Sequence, residues 1–215
     1  MSGLLILGAG GHGRVVAFTA RSAGTWTEIA FLDDRFDEIT AVDEMPVLGR
    51  FETAAGLVGR LAEAIVAIGE GRARLQTLRH LRQGGFDLPV LVHPSAVISE
   101  HAILGAGSVV FAHCVVHPGT VAGEGCIINT AATVDHDCRL GNGVHLSPGV
   151  HLGGGVHVGD LTWLGVGASV RNGVCIGSRV MIGVGAAVVE DLPDGVTAVG
   201  VPARVVADDR VADDR

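Results

Sequence analysis

Tyrosine is absent from this sequence and aromatic residues make up only 4% of it, while glycine occurs 33 times. Few rings and many glycines, with Val, Ile, Leu and Ala abundant, suit thin, regularly turning β-structure better than a helical bundle. Basic residues are also short: 15 Lys and Arg against 23 Asp and Glu leave a formal charge of -8 and a pI near 5.6. A chain without a basic stripe does not neutralise a phosphate backbone, so nucleic acid is not an expected partner. No stretch approaches the roughly 18 to 20 apolar residues that cross a bilayer, and the opening MSGLLILGAGGHG lacks a basic start followed by a long apolar run. A soluble, cytoplasmic protein with no membrane partner is therefore expected. None of Cys114, Cys126, Cys138 and Cys175 forms a CxxC pair, which favours buried reduced thiols over a disulfide or metal role.

What is present divides the chain in two. Up to residue 92, apolar strand-like runs alternate with helix-like stretches: Leu4 to Leu7, a Gly-rich turn, Val15 to Ala23, then Ile29 to Leu32. A helical stretch from Phe51 to Leu61, a strand from Ala64 to Ile68, a charged helix from Arg72 to Gln83 and a strand from Pro89 to Val92 follow. Together they predict a compact parallel sheet with crossover helices, a Rossmann-like α/β domain over 1–92.

From Ile98 onward an aliphatic residue falls on every sixth position: Ile98, Leu104, Val110, Val116, Ala122, Ile128, Val134, Leu140, Leu146, Leu152, Val158, Leu164, Val170, Ile176, Ile182 and Val188. Random placement would achieve this roughly once in 10⁵. Four residues after each, from Ser108 and Cys114 to Val180 and Ala186, stands a small or β-branched residue, and Gly often follows the aliphatic one directly, as at Gly105, Gly123 and Gly141. One large and one small inward residue with a turn-permitting Gly describe a prism with short strands as sides and tight turns as corners. Three hexads make one coil, and 93–205 holds about five coils. The tandem VADDR within 206–215 reads as a solvated tail.

Several motifs run through this frame: GAGGHG at 8–13, FLDD at 31–34, AIG at 67–69, HPSA at 93–96, NTAATVDHDC at 129–138 and GVPAR at 200–204. With the hexads they resemble the hexapeptide acyltransferase superfamily, and within it the PglD and NeuD type of nucleotide-sugar or sialic-acid acetyltransferases. The resemblance covers nearly the whole chain. It implies an all-β left-handed parallel β-helix after the α/β domain, a homotrimer with active sites between subunits, and acetyl-CoA as donor.

Moving an acetyl group from a thioester to an amine or hydroxyl needs no covalent enzyme intermediate if a base removes the acceptor's proton, and histidine has a suitable pKa. His136 matches the family's catalytic histidine, followed by an acidic residue, Asp137, which can fix its tautomer and raise its basicity. His145, nine residues on, matches the position that touches acetyl-CoA; the alternative is an exposed turn histidine. Gly154, Val166 and Val184 match positions where coils approach the pantetheine arm. His145, His151 and His157 recur every six residues, but successive hexads occupy different sides of a prism, so a metal site is not expected.

In the N-terminal domain the turn at 8–13 follows a strand and opens a helix, so its amides can meet a phosphate. Alone it gives weak support to a nicotinamide dinucleotide. Through the resemblance, Gly10, Gly11 and His12 match a turn that contacts a sugar nucleotide, Asp33 and Asp34 a pair near its base or ribose, and Gly69 the end of the third strand. A solvated turn is the alternative for the two aspartates. The family often carries Asn two residues after Gly69, where this chain has Gly71. The function implied is N-acetylation of a nucleotide-linked 4-amino-4,6-dideoxy sugar. The alternatives are O-acetylation of a sialic acid or related sugar, and a non-catalytic trimeric scaffold or NAD sensor.

Overall fold

The computed structural model describes residues 3–208. The N-terminal unit is a three-stranded parallel sheet. Strands β1 (Gly3–Leu7), β2 (Glu28–Leu32) and β5 (Glu63–Val66) lie in the order β2–β1–β5, and a short hairpin of β3 (Ala41–Val42) and β4 (Met45–Pro46) stands beside them. Alternation along the strands sends Leu4, Ile6, Phe31 and Ile65 to one face, packed on Val16, Ala17 and Ala20 of helix α1 (Gly11–Ala23). Leu5, Leu7, Leu32, Ala64 and Val66 go to the other, against Leu75, Leu78 and Leu81 of helix α2 (Gly71–Gln83). Glu70 caps α2, its carboxylate accepting from the N–H groups of Arg72 and Ala73 at 2.8 and 2.6 Å. The helix expected over 51–61 is a 3₁₀ segment, Phe51–Leu57.

The remainder is a coil with three parallel faces. The first carries Leu91–Val92, Val109–Val110, Ile127–Ile128, His145–Leu146, Trp163–Leu164, Met181–Ile182 and Val196–Val199; the second runs from Val97–Ile98 to Ala187–Val188, and the third from Ile103–Leu104 to Cys175–Ile176. Each strand pairs with the one eighteen residues on, as Ile128 does with Leu146, except that Met181–Ile182 meets Thr197–Ala198 sixteen residues on. Leu91–Val92, expected to close the N-terminal sheet, instead pairs with Val109–Val110; its two residues continue the hexad register, and that pairing extends the first face. At the other end Arg204–Asp208 turns back as an antiparallel strand on Val196–Val199, so 206–208 are ordered as strand while Val206 and Ala207 stay solvent-exposed as expected. Residues 209–215 of the expected tail lie outside the described residues.

The hexad aliphatics form one buried column with the small residues between them, each large side chain contributing about 1.5–3 kcal/mol by leaving water. The small residues do more than fit. Ser108, Thr120 and Thr162 donate hydroxyl protons to the carbonyls of Gly123, Asp135 and Gly177, and the thiols of Cys126 and Cys138 do so to those of Gly141 and Gly153. Burial pushes the Cys126 thiol up to about 11, so Cys114, Cys126 and Cys138 are the buried free thiols expected, whereas Cys175 is free but exposed.

The corners differ from the expectation. The left-handed conformation falls three residues after the aliphatic one, as at Gly119 (φ 75°) and Gly173 (φ 73°), and His113, Ala131, Asp137, Leu161 and Arg179 adopt it without being glycine. The glycine directly after the aliphatic residue serves closeness between coils: a Cβ at Gly141 would collide with the Asp160 carboxylate and lie 2.6 Å from its backbone nitrogen.

The N-terminal unit sits on the first face and on the corner leading into it. Leu91, Val109, Phe111 and Ile127 share one core with the α1 side of the sheet. Leu75 and Leu78 of α2 cover Gly107, Gly125 and Gly143. Arg74 is 1% exposed and has no carboxylate partner; it donates to the carbonyls of Gly125, Gly143, Ile68 and Gly69 at 2.7–2.8 Å. Gly71 lies against the coil so closely that a Cβ would stand 2.9 Å from the Gly143 carbonyl, so a side chain at this position would have to push the coil backbone aside.

Candidate active site

The corner between the second and third faces places His136 on an open edge, its side chain 62% exposed. Asp137 takes a left-handed φ of 60° beside it and sets its Oδ2 2.9 Å from His136 Nδ1, so its carboxylate reaches the ring. The preceding residue, Asp135, accepts the His136 backbone N–H at 2.8 Å, and Thr120 of the coil above donates to the Asp135 carbonyl. The Asp137 hydrogen bond, then the Asp135 charge, raise the imidazole above its ordinary pKa. With Nδ1–H assigned to Asp137 by this network, Nε2 is left as the proton acceptor. Gly154 lies one coil below, where a Cβ would be 2.5 Å from His136 Nε2. Its lack of a side chain makes room for the ring, so the structure puts this expected acetyl-CoA contact beneath the base.

Val166 and Val184, the other two expected acetyl-CoA contacts, stand on the next edge, between the first and second faces, 49% and 77% exposed. They stack in register, the Gly185 N–H donating to the Val166 carbonyl as that of Gly167 does to Pro148. Within one chain, then, the expected base and this apolar column occupy separate edges.

His145 is neither an exposed turn residue nor on either edge. It points outward from the first face, under the N-terminal unit, only 8% exposed, and no hydrogen-bond partner reaches its ring nitrogens. The ring stacks on Trp163 at 4.7 Å and faces His12 at 6.4 Å. His12 in turn meets the edge of Phe111 at 5.6 Å, its own buried Nε2 unpartnered. Burial, then the Arg74 charge, lowers His12 to about 4 and His145 to about 3, although the nearby Gly69 carbonyl favours the protonated His145 ring. The structure thus brings together His12, Gly69 and His145 at the junction. His151 and His157 lie on the second and third faces, so the three histidines spaced by six residues point apart.

Gly10 and Gly11 line a shallow groove with Arg14, Arg35 and Asp43 at the start of α1. Gly8 and Gly13 of the same turn are demanded by the fold, since a Cβ on either would overlap Ala67 or Gly8 backbone; Gly11 has nothing within 4 Å, and Gly10 only Arg35 Nη2 at 3.6 Å. Their bareness faces outward. Asp33 is buried rather than a solvated turn residue: its carboxylate accepts from the Ala9 N–H at 2.7 Å and from Arg35 Nε at 3.0 Å. The Arg35 hydrogen bond is the main cause of its descent to about 2. Asp34 accepts the Phe51 N–H and caps the 3₁₀ segment.

Arg74, Trp163, Asp135 and Gly119 escaped sequence reading. Trp163 had a faint signal, because the outward residues of every third hexad, Leu91, Val109, Ile127, His145, Trp163 and Met181, are apolar apart from His145, more so than those on the other faces. Arg74 had none, being one of several arginines in a charged helix. Among the described residues no helix is long and apolar enough to cross a membrane.

Residues 3–81 match the PglD N-terminal domain family. The UDP-N-acetylbacillosamine N-acetyltransferase of Bacillus subtilis (strain 168) is 34% identical over 112 residues, a match spanning 51% of this chain and only 51% of that relative. The acetyltransferase domain of PglB from Neisseria gonorrhoeae FA1090, solved with acetyl coenzyme A, is 46% identical with a TM-score of 0.92, covering 95% of this chain and 98% of that one. PerB from Caulobacter crescentus, solved with CoA and GDP-perosamine, is 42% identical with a TM-score of 0.89 over 96% and 98% of the two chains.

Proposed function

Because the chain belongs to the hexapeptide-repeat acetyltransferases of the PglD type, we propose that it transfers acetyl from acetyl-CoA to the 4-amino group of a nucleotide-linked 4-amino-4,6-dideoxy sugar. The observation that carries this reading is the His136 and Asp137 pair, an exposed imidazole whose Nδ1 is held at 2.9 Å by a carboxylate and whose Nε2 has no partner. Nε2 takes the proton of the attacking amine, and Asp137 steadies the imidazolium that results. The amine nitrogen bonds to the acetyl carbonyl carbon, the carbon–sulfur bond breaks, and CoA leaves as the thiol.

The relatives support the choice of substrates: one is solved with acetyl coenzyme A, one with CoA and GDP-perosamine, and one is named for UDP-N-acetylbacillosamine. The residues fit both ligands. Val166 and Val184 offer an uncovered apolar edge for a pantetheine arm, and Gly10, Gly11 and the start of α1 a bare turn for a diphosphate. Asp33 shapes that turn through Ala9 and Arg35, with Asp34, His12 and Gly69 as the further sugar-nucleotide contacts and His145 as a contact to acetyl-CoA. His136 and the valine column stand on different edges of one chain, and a homotrimer would set one subunit's base beside its neighbour's column.

The test is thiol release from acetyl-CoA, with mass spectrometry of the products, over UDP-, GDP- and dTDP-linked 4-amino-4,6-dideoxy sugars. One amine product is expected, formed about 10²- to 10⁴-fold more slowly by His136→Ala. Silence on every amine with turnover of a sialic-acid hydroxyl would replace N-acetylation by O-acetylation.

A further inference from the structure

Asp137 occupies a corner position where most coils place glycine, and its left-handed φ of 60° carries a strain of about 1 kcal/mol. Its carboxylate is not free to choose its place. Oδ2 faces His136 Nδ1, while Oδ1 lies over Gly119, the equivalent corner one coil above: a Cβ on Gly119 would collide with that oxygen and stand 3.5 Å from the Asp137 nitrogen. Gly119 is fixed in turn, with a φ of 75°, its N–H donating to the His101 carbonyl and its own carbonyl accepting from Arg139 Nη1 at 3.1 Å. The Asp137 N–H donates to the carbonyl of Pro118, so the two corners hold a close register.

We propose that Gly119 is a positioning residue: the missing side chain leaves the space in which Asp137 keeps its carboxylate on His136 Nδ1. The inference deepens the reading of His136 as the base and rests on it for its kinetic arm. A side chain at 119 drives Oδ1 away from the upper coil. Because Asp137 is anchored through its backbone, the displacement is taken up by rotation of the carboxylate away from the ring. The charged groups around the imidazole are then Asp135, which holds its backbone N–H, and Asp137 displaced; Gly154 beneath contributes no charge.

The structure also supplies a matched control. Gly173 has nearly the same φ, 73°, and nothing within 4 Å of a built Cβ, so Gly173→Ala carries the backbone strain without the collision. The experiment is an NMR titration of the His136 ring, with kcat and KM against pH, in Gly119→Ala, Gly173→Ala, Asp137→Asn and the double variant Gly119→Ala/Asp137→Asn. Gly119→Ala is expected to bring the His136 pKa down toward that of Asp137→Asn and to lower kcat about 10- to 100-fold with KM for acetyl-CoA unchanged. Gly173→Ala moves neither, and Gly119→Ala adds nothing once Asp137 is Asn. If Gly119→Ala does not fold, Gly119→Asn keeps the Cβ with a residue that tolerates the left-handed region. A His136 titration unchanged from wild type, an equal effect from Gly173→Ala, or full additivity in the double variant would overturn the proposal. If wild type acetylates no amine, the function proposed above fails, and the titration still decides the role of Gly119.

Discussion

The coil repeats one solution while the N-terminal unit is attached to it by a solution used once. In the coil most buried side chains meet their equivalents eighteen residues away, and most corners are closed by the same backbone hydrogen bond to the coil before them. The loss of one contact there leaves its neighbours in place, as expected for an array stabilised by nearest-neighbour terms. At the junction a single guanidinium serves four carbonyls, two from the N-terminal unit and two from the coil, beside His12, whose Nε2 has no partner, and the buried His145, whose ring nitrogens have none. The difference teaches where each half is vulnerable: the coil to anything that forces its turns apart, the junction to loss or gain of one charge.

Arg74→Ala should break the comparison most severely. It strands two buried and two part-buried carbonyls, at about 1–3 kcal/mol each less whatever water recovers, and empties the space of the largest fully buried side chain among the described residues. The expected loss is about 5 kcal/mol or more, confined to the junction. Hydrogen exchange should show deprotected amides at Ile127 and His145 while those at Val170 and Ile182 stay protected. Uniform deprotection along the coil would mean that docking and coil are one cooperative unit.

Acid attacks the same junction by adding charge. His12 and His145, ordinarily near 6.5, are held to about 4 and about 3, chiefly by burial and then by Arg74. The unfolded chain therefore binds more protons below pH 6.5, so the stability carried by the two neutral rings is complete above that value. It is lost as pH falls through 6.5 toward 4 and 3. About 3 kcal/mol should be gone by pH 4, after discounting for the part-exposure of His12. Urea unfolding at pH 7.5 and 4.5 checks the sign, with His145→Phe reducing the difference. A variant as acid-sensitive as wild type would remove the imidazole from the account.

The two halves were also unequally legible. Sixteen hexads spelled out the coil, and His136 with Asp137 stood in a motif that sequence can display, because the base, its acidic neighbour and the corner are contiguous. The junction joins residues far apart along the chain, Arg74 with Gly143 and His12 with His145, and no periodicity announces such pairs. Leu91–Val92 shows the same limit on a smaller scale. Two apolar residues suit either sheet, and only the hydrogen bonds of Val109–Val110 decide between them. His145 lay in register with His151 and His157, yet only the face covered by the N-terminal unit made it a buried residue.

The smallest expected effects sharpen the comparison at its glycines, where both halves look alike in sequence. Gly141→Ala places a methyl onto Asp160, whose carboxylate also accepts the Asn142 N–H, so either the corner hydrogen bond or the coil spacing must give. Overpacking of this kind costs about 1–3 kcal/mol, read as a lower Tm. Gly11→Ala meets nothing within 4 Å and lies at the first turn of α1, where alanine favours the helix, so its stability should stay within about 0.5 kcal/mol of wild type. If Gly11 nevertheless adjoins the diphosphate, the same variant raises KM for the nucleotide sugar and leaves KM for acetyl-CoA alone. Equal losses of stability in the two variants would show that the N-terminal turn is as tightly built as the coil, and that its bare glycines answer to the fold rather than to a ligand.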